Sequence, residues 1–181
     1  ATEKFYYDAG RSSLWFGVRD DSASPGCFKV CEYALGEHKI VAEYPLQPSV
    51  EVGDVYNNGF ANMNKPNITF TDKYILYNYP VESHVYVMDK KTKETKVIEA
   101  DSRYTKNVAS KVTSSADYKQ WERHGIENPH FYEVLYIPGK DMYVRLLGDA
   151  MDYDAIQSQP DLIWDRKMYL MVFNNDFSSY S

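Results

Sequence analysis

Residues 67–100 read NITFTDKYILYNYPVESHVYVMDKKTKETKVIEA, and the fold is decided there. Four short runs, NITFT, YILYNY, HVYVMD and TKVIEA, are rich in Ile, Val, Tyr, Phe and Thr. They are interrupted at Asp72-Lys73, at 80–83 and at 90–94 by turn formers and charge, the pattern of strands joined by turns. Within HVYVMD, Val85 and Val87 alternate with Tyr86 and Met88, so both faces of the strand are apolar. A strand of that kind belongs to a sheet covered on both sides by other sheets. The stretch predicts one blade of something that repeats.

The pattern recurs on either side. Upstream, FYYDA turns at Gly10-Arg11 into SSLWFGVRD, and FKVCEYAL turns at 36–38 into KIVAEYPL. Downstream, HFYEVLYI turns at 138–140 into DMYVRLLG, and KMYLMVF turns at 174–176 into FSSYS. The units begin near Phe5, Asn67 and His130, a spacing of about 62 residues, and fixed-period units of four strands mark a β-propeller. The expected architecture is therefore all-β: one propeller segment over 1–181, with blade units at about 5–46, 67–100 and 130–181. A β-sandwich or meander of a dozen strands is the competing arrangement. The repeated order of turn lengths favours the propeller. Three blades cannot close a ring, so the chain reads as half of a larger propeller that pairs with the missing half or with a second copy.

Connections within the first and second strand pairs of each unit are tight, whereas 21–26, 47–66, 101–129 and 149–166 are long. In an up-and-down blade these long connections emerge on one side, and long loops on a rigid scaffold are where function concentrates. The loop 101–129 contains a predicted short helix in ADYKQWERHG, capped by Asp117 or Ser115, with Tyr118, Trp121 and Glu122 on one side. The loop 47–66, with Asn57-Asn58-Gly59, reads as irregular.

Composition narrows the functional classes. The chain has 181 residues, 44% hydrophobic and 15% aromatic, with 17 Tyr. No run approaches the roughly 20 apolar residues of a membrane-spanning helix. A net charge of -6, with lysines 90, 91, 93 and 96 diluted by Asp89 and Glu94, argues against nucleic acid. Cys27 and Cys31, about 13 Å apart on an extended strand, are too distant for a disulfide and too few for a zinc site.

The last third carries a resemblance. HFYEVLYIPGKDMYVRLLGD followed by RKMYLMVFNNDFSSYS is similar to a blade of the six-bladed propeller lipoproteins of Bacteroidetes, a family of unknown function related in fold to NHL and TolB-type propellers. The resembling positions are Tyr132, Tyr136, Pro138, Tyr143 and Arg145, with YLMVFNNDF as the third strand and its Asn/Asp turn. The resemblance implies half of a six-bladed propeller, located in the cell envelope, in the periplasm or anchored at the outer membrane. It brings no catalytic residues.

Candidate chemistry is sparse. Arg145, between Val144 and Leu146, requires a partner such as a carboxylate, an aromatic face or a ligand. The 149–166 loop holds Asp149, Asp152, Asp154, Asp161 and Asp165 beside Tyr153 and Trp164. Asp149, Asp152 and Asp154 are candidate Ca²⁺ ligands, although the spacing is not that of an EF-hand; no other cofactor is expected. His84, His124 and His130 flank the long-loop face without zinc spacing. G-x-S-x-G, G-x-G-x-x-G and P-loop motifs are absent. The expected function is a non-enzymatic binding or scaffolding module of the bacterial envelope, taking a protein or carbohydrate ligand through Arg145, Trp121, Tyr153, Trp164 and His130. The alternative is an envelope glycan-processing hydrolase or lyase using carboxylates of the 149–166 loop.

Overall fold

The stretch that decides the fold forms four strands, β5 (Asn67–Phe70), β6 (Tyr74–Asn78), β7 (Val85–Asp89) and β8 (Thr95–Ile98), paired antiparallel in chain order. The computed structural model describes residues 4–22, 27–49, 63–112 and 117–181. Before this sheet come β1 (Phe5–Asp8), β2 (Ser13–Asp20), β3 (Cys27–Ala34) and β4 (Lys39–Pro45), again in chain order. After it come β9 (His130–Ile137), β10 (Met142–Gly148) and β11 (Met168–Asn174). The fold is thus all-β, and the described residues form antiparallel sheets of four, four and three strands with few helices.

The third unit departs from expectation at its end. FSSYS is reduced to one antiparallel bridge, Phe173 to Tyr180, with reciprocal backbone bonds between Val172 and Ser181. Polar Ser178 and Ser179 pair with Asn174 and Asp176 instead of extending a ladder. The irregular reading of 47–66 and the Ser115 cap fall largely outside the described residues. The helix α1 (Tyr118–Glu127) is present, with Asp117 as its cap accepting from the Gln120 amide at 2.9 Å.

Alternation in the middle sheet produces two cores. Ile75, Tyr77, Tyr86 and Met88 pack with Trp15, Val30 and Leu46 of the first sheet. Leu76, Val85, Val87 and Ile98 pack with Phe131, Val134, Leu147 and Phe173 of the third. Each large apolar side chain buried this way contributes about 1.5–3 kcal/mol. The outer faces of the first and third sheets remain apolar but open. Phe5 is 66% exposed and paired with Phe16, and Leu170 is 58% exposed beside Leu146.

Long connections interlock on one side of the sheets and tight turns on the other. On the loop side the Tyr79 hydroxyl donates to the Leu46 carbonyl (2.6 Å), Ala109 N to Val81 O (2.8 Å), and Met151 N to Ile126 O (2.9 Å). On the turn side Lys90 is buried, 3.2 Å from Asp8 and 3.9 Å over the Tyr6 ring. Lys93 lies 4.4 Å over Trp15 and pairs with Glu32. Two of the four clustered lysines therefore clamp the second sheet to the first.

Five of the tight turns share a backbone signature that the Asp72-Lys73 turn lacks. Ser12, His38, Lys93 and Asp141, one or two residues before the next strand, and Phe177 in the turn after β11 all have positive φ. None is glycine, and left-handed backbone costs other residues roughly 1–2 kcal/mol. His38 is exposed at φ 52°. His38→Gly is expected to stabilise the protein by about 0.5–1 kcal/mol, read as a higher urea midpoint; a lower midpoint refutes the strain.

Candidate functional site

The edge strands β1, β5 and β9 come together along one seam, where side chains satisfy edge carbonyls of β5 and β9. Asn67 and Asn78 amides both donate to the Phe131 carbonyl (3.2 Å each), and Phe131 N returns a bond to Pro80 O at 2.9 Å. Thr69 donates its hydroxyl to Val134 O and stands 2.7 Å from Glu133. Lys4, just before β1, forms an ion pair with Glu133 and reaches Ile68 O at 3.4 Å.

At the loop-side end of this seam the sheets part around a cleft of about 470 Å³. Its apolar wall comes from Val18, Phe28, Met63, Ile68 and Phe70, and its polar groups are Lys4, Lys65, Asn67, His130 and Glu133. Gly17 allows the close approach of β2 to β5: a Cβ there would sit 2.6 Å from the Ile68 side-chain tip. His130 is pushed down to about 4, first by burial and then by the nearby Arg166 charge, so it is neutral at pH 7.

Arg166 ties the surrounding loops together. It donates to Asp149 O (2.7 Å), Asn128 O (2.8 Å) and Gly125 O (3.4 Å), joining the 149–166 loop to the end of α1. In sequence it looked like no more than a loop boundary. A second group missed in sequence is Glu82, fully buried between the loops. Its carboxylate accepts from the Tyr86 hydroxyl (2.7 Å) and the Ser49 amide (3.3 Å), and His84 Nδ1 lies 3.0 Å away. The Glu82 hydrogen bond raises the His84 pKa.

The five predicted contact residues are not brought together. His130 lines the cleft. Arg145 is 1% exposed between the second and third sheets. Its guanidinium donates to Ser83 O (2.9 Å) and Ala100 O (3.2 Å) and lies 4.9 Å over the Phe131 ring, with no carboxylate in contact among the described residues. Burial brings its pKa down to about 9, which leaves it cationic at neutral pH. Tyr153 is buried on α2 (Tyr153–Ser158), under Arg123, donating to Glu122 at 3.1 Å. Trp121 is at the surface of α1, and Trp164 is 85% exposed in the 3-10 turn Pro160–Asp165.

The acidic loop is occupied by structure. Asp152 caps α2, accepting from the Asp154 and Ala155 amides, Asp149 accepts from the Ala150 amide, and Asp154 pairs with Arg123 at 2.9 Å. Among the described residues no group of three or more His, Cys, Asp or Glu is arranged to hold a metal ion. Nor is any described helix long and apolar enough to cross a membrane.

A family model described as a domain of unknown function, DUF4221, matches residues 38–179. The chain belongs to the DUF4221 family. A solved DUF4221 member from Bacteroides vulgatus is similar in fold, at a TM-score of 0.61 and 13% identity over 98% of this chain. The chain covers 51% of that structure, so it spans about half its length. No curated protein sequence matches.

The two histidines pull pH dependence in opposite directions. His84, raised in the fold, adds stability that is complete below its ordinary value and lost as pH rises through the raised one. His130, lowered in the fold, imposes a cost that grows as pH falls from 6.5 toward about 4. His84→Gln is expected to flatten the melting-temperature profile above pH 6.5, and His130→Asn to flatten it below; unchanged profiles would count against these environments. Arg145→Lys, which loses the fork that reaches two carbonyls, is expected to cost about 2–4 kcal/mol in chemical denaturation.

Proposed function

We propose that this chain forms three adjacent blades of a six-bladed β-propeller of the bacterial cell envelope, of the lipoprotein type found in Bacteroidetes. It acts there as a binding module without catalysis of its own. The ring reading is supported by the open apolar faces at both ends of the sheet stack and by a solved relative about twice as long. Three further blades, from the rest of a longer chain or from a second copy, would cover Phe5, Tyr7 and Ile40 on one end and Leu135, Leu146 and Leu170 on the other.

One observation carries the binding reading: a cleft of about 470 Å³ where the inner strands meet the long loops. It has the size and composition of a ligand site, apolar with a few convergent polar groups. The ligand is a carbohydrate or a protein segment that lays an apolar face on Phe28, Ile68 and Phe70 and hydrogen-bonds at His130 and Asn67. The structural duties of Asp149, Asp152 and Asp154 favour this reading over glycan processing.

Probing glycan and peptide arrays with the labelled chain tests it. His130→Ala and the cleft-filling Gly17→Val are each expected to lower the captured signal about tenfold while the circular dichroism spectrum is kept; unchanged capture in both variants overturns the site. Sedimentation equilibrium tests the ring: a second copy gives twice the 21.0 kDa of the chain, and Leu170→Asp restores the single mass. A soluble monomer unaffected by Leu170→Asp speaks against covered end faces.

A further inference from the structure

The opposite mouth of the inner seam holds a cleft of different chemistry, about 570 Å³ in volume. Four tyrosines line it: Tyr6 from β1, Tyr74 from β6, Tyr136 from β9 and Tyr143 from β10. Two carboxylates stand among the rings, Asp72 in the β5–β6 turn and Asp141 in the β9–β10 turn. Asp72 accepts from a phenol, and Asp141 from a phenol and an amide. Tyr6 donates to Asp72, Tyr136 to Asp141 at 3.3 Å, and the Asn175 amide to Asp141 at 2.7 Å. Asp141 holds its place with a positive φ of 50°.

We propose that this turn-face cleft binds an alkylammonium group. Tyrosine rings and carboxylates lining one cleft offer a cation both quadrupole and Coulomb attraction, the combination by which aromatic sites recognise substituted ammonium ions. The lining already engages ammonium groups of the protein itself. Lys73 Nζ lies 4.6 Å from the Tyr74 centroid, and Lys90 Nζ lies 3.9 Å over the Tyr6 ring. Lys90 is buried and fixed by Asp8, whereas Lys73 is exposed at the rim. The Lys73 ammonium is therefore an internal competitor that an incoming cation displaces. Burial raises the phenols of Tyr136 and Tyr143, the latter to about 12, so these rings stay neutral. This site stands independently of the ligand assigned to the loop face.

Tyrosine-labelled NMR of the 181-residue chain, titrated with tetramethylammonium, choline and Nα-acetyl-lysine amide, tests the proposal. Saturable shifts at Tyr74 and Tyr136 are expected. A preference for choline identifies a quaternary ligand, and a preference for the lysine derivative a primary one. The paired substitution Asp72→Asn with Asp141→Asn is expected to weaken binding about tenfold. Lys73→Ala, a change at an exposed rim position, is expected to tighten it by removing the competitor; a purely structural lysine would leave the affinity alone. Shifts that fail to saturate, that sodium chloride reproduces, or that Lys73→Ala leaves unchanged overturn the proposal.

Discussion

The middle sheet has to be kept from water on both sides. Tyr77, Tyr86 and Met88 project one way, while Leu76, Val85 and Val87 project the other. Exposing either set forfeits several side-chain burials of about 1.5–3 kcal/mol each. The sheets before and after it in the chain meet that requirement, and the stacking order follows the chain order. Antiparallel meanders then leave no freedom in the connections: alternate links exit on alternate sides, and the elaborate ones collect together.

Apolar contact alone would let neighbouring sheets slide. Polar stitches prevent it. The Phe131 carbonyl accepts from Asn67 and Asn78 while its amide donates to Pro80, and Arg145 reaches Ser83 and Ala100 from the same sheet. Each stitch satisfies a backbone group that an unpaired inner edge or a loop would otherwise leave exposed to an apolar interior. On the other seam Lys90 and Lys93 do similar work through aromatic faces. Their aliphatic stems pack as apolar groups while the ammonium groups find Asp8 and Glu32.

Legibility in the sequence followed physical range. Period-two alternation is local, so the eleven strands of the described residues and the two-faced middle sheet could be seen, as could the Asp117 cap of α1. The last strand failed because FSSYS lacks apolar alternation, and Ser178 and Ser179 find closer partners in the turn. The candidate site was largely invisible. His130 was found through its place beside a long loop, but the cleft depends on Lys4, Gly17 and Glu133, which meet only across sheets. Tyr153 looked like a surface aromatic because nothing in its neighbourhood announces that Arg123, thirty residues earlier, lies over its ring. Glu82 looked like a turn residue, and only the packing of 46–49 and 107–109 around it buries the carboxylate.

Gly17 has a reach beyond its own strand. With only a hydrogen on its α-carbon facing the Ile68 tip, the floor of the loop-face cleft is set by the absence of a single methyl group. A side chain there would have to displace the Ile68 tip, changing the shape of the cavity wall at an apolar rather than a polar group. The size of molecule admitted and the chemistry that holds it are thus under the control of separate residues, and selection can tune one while leaving the other alone.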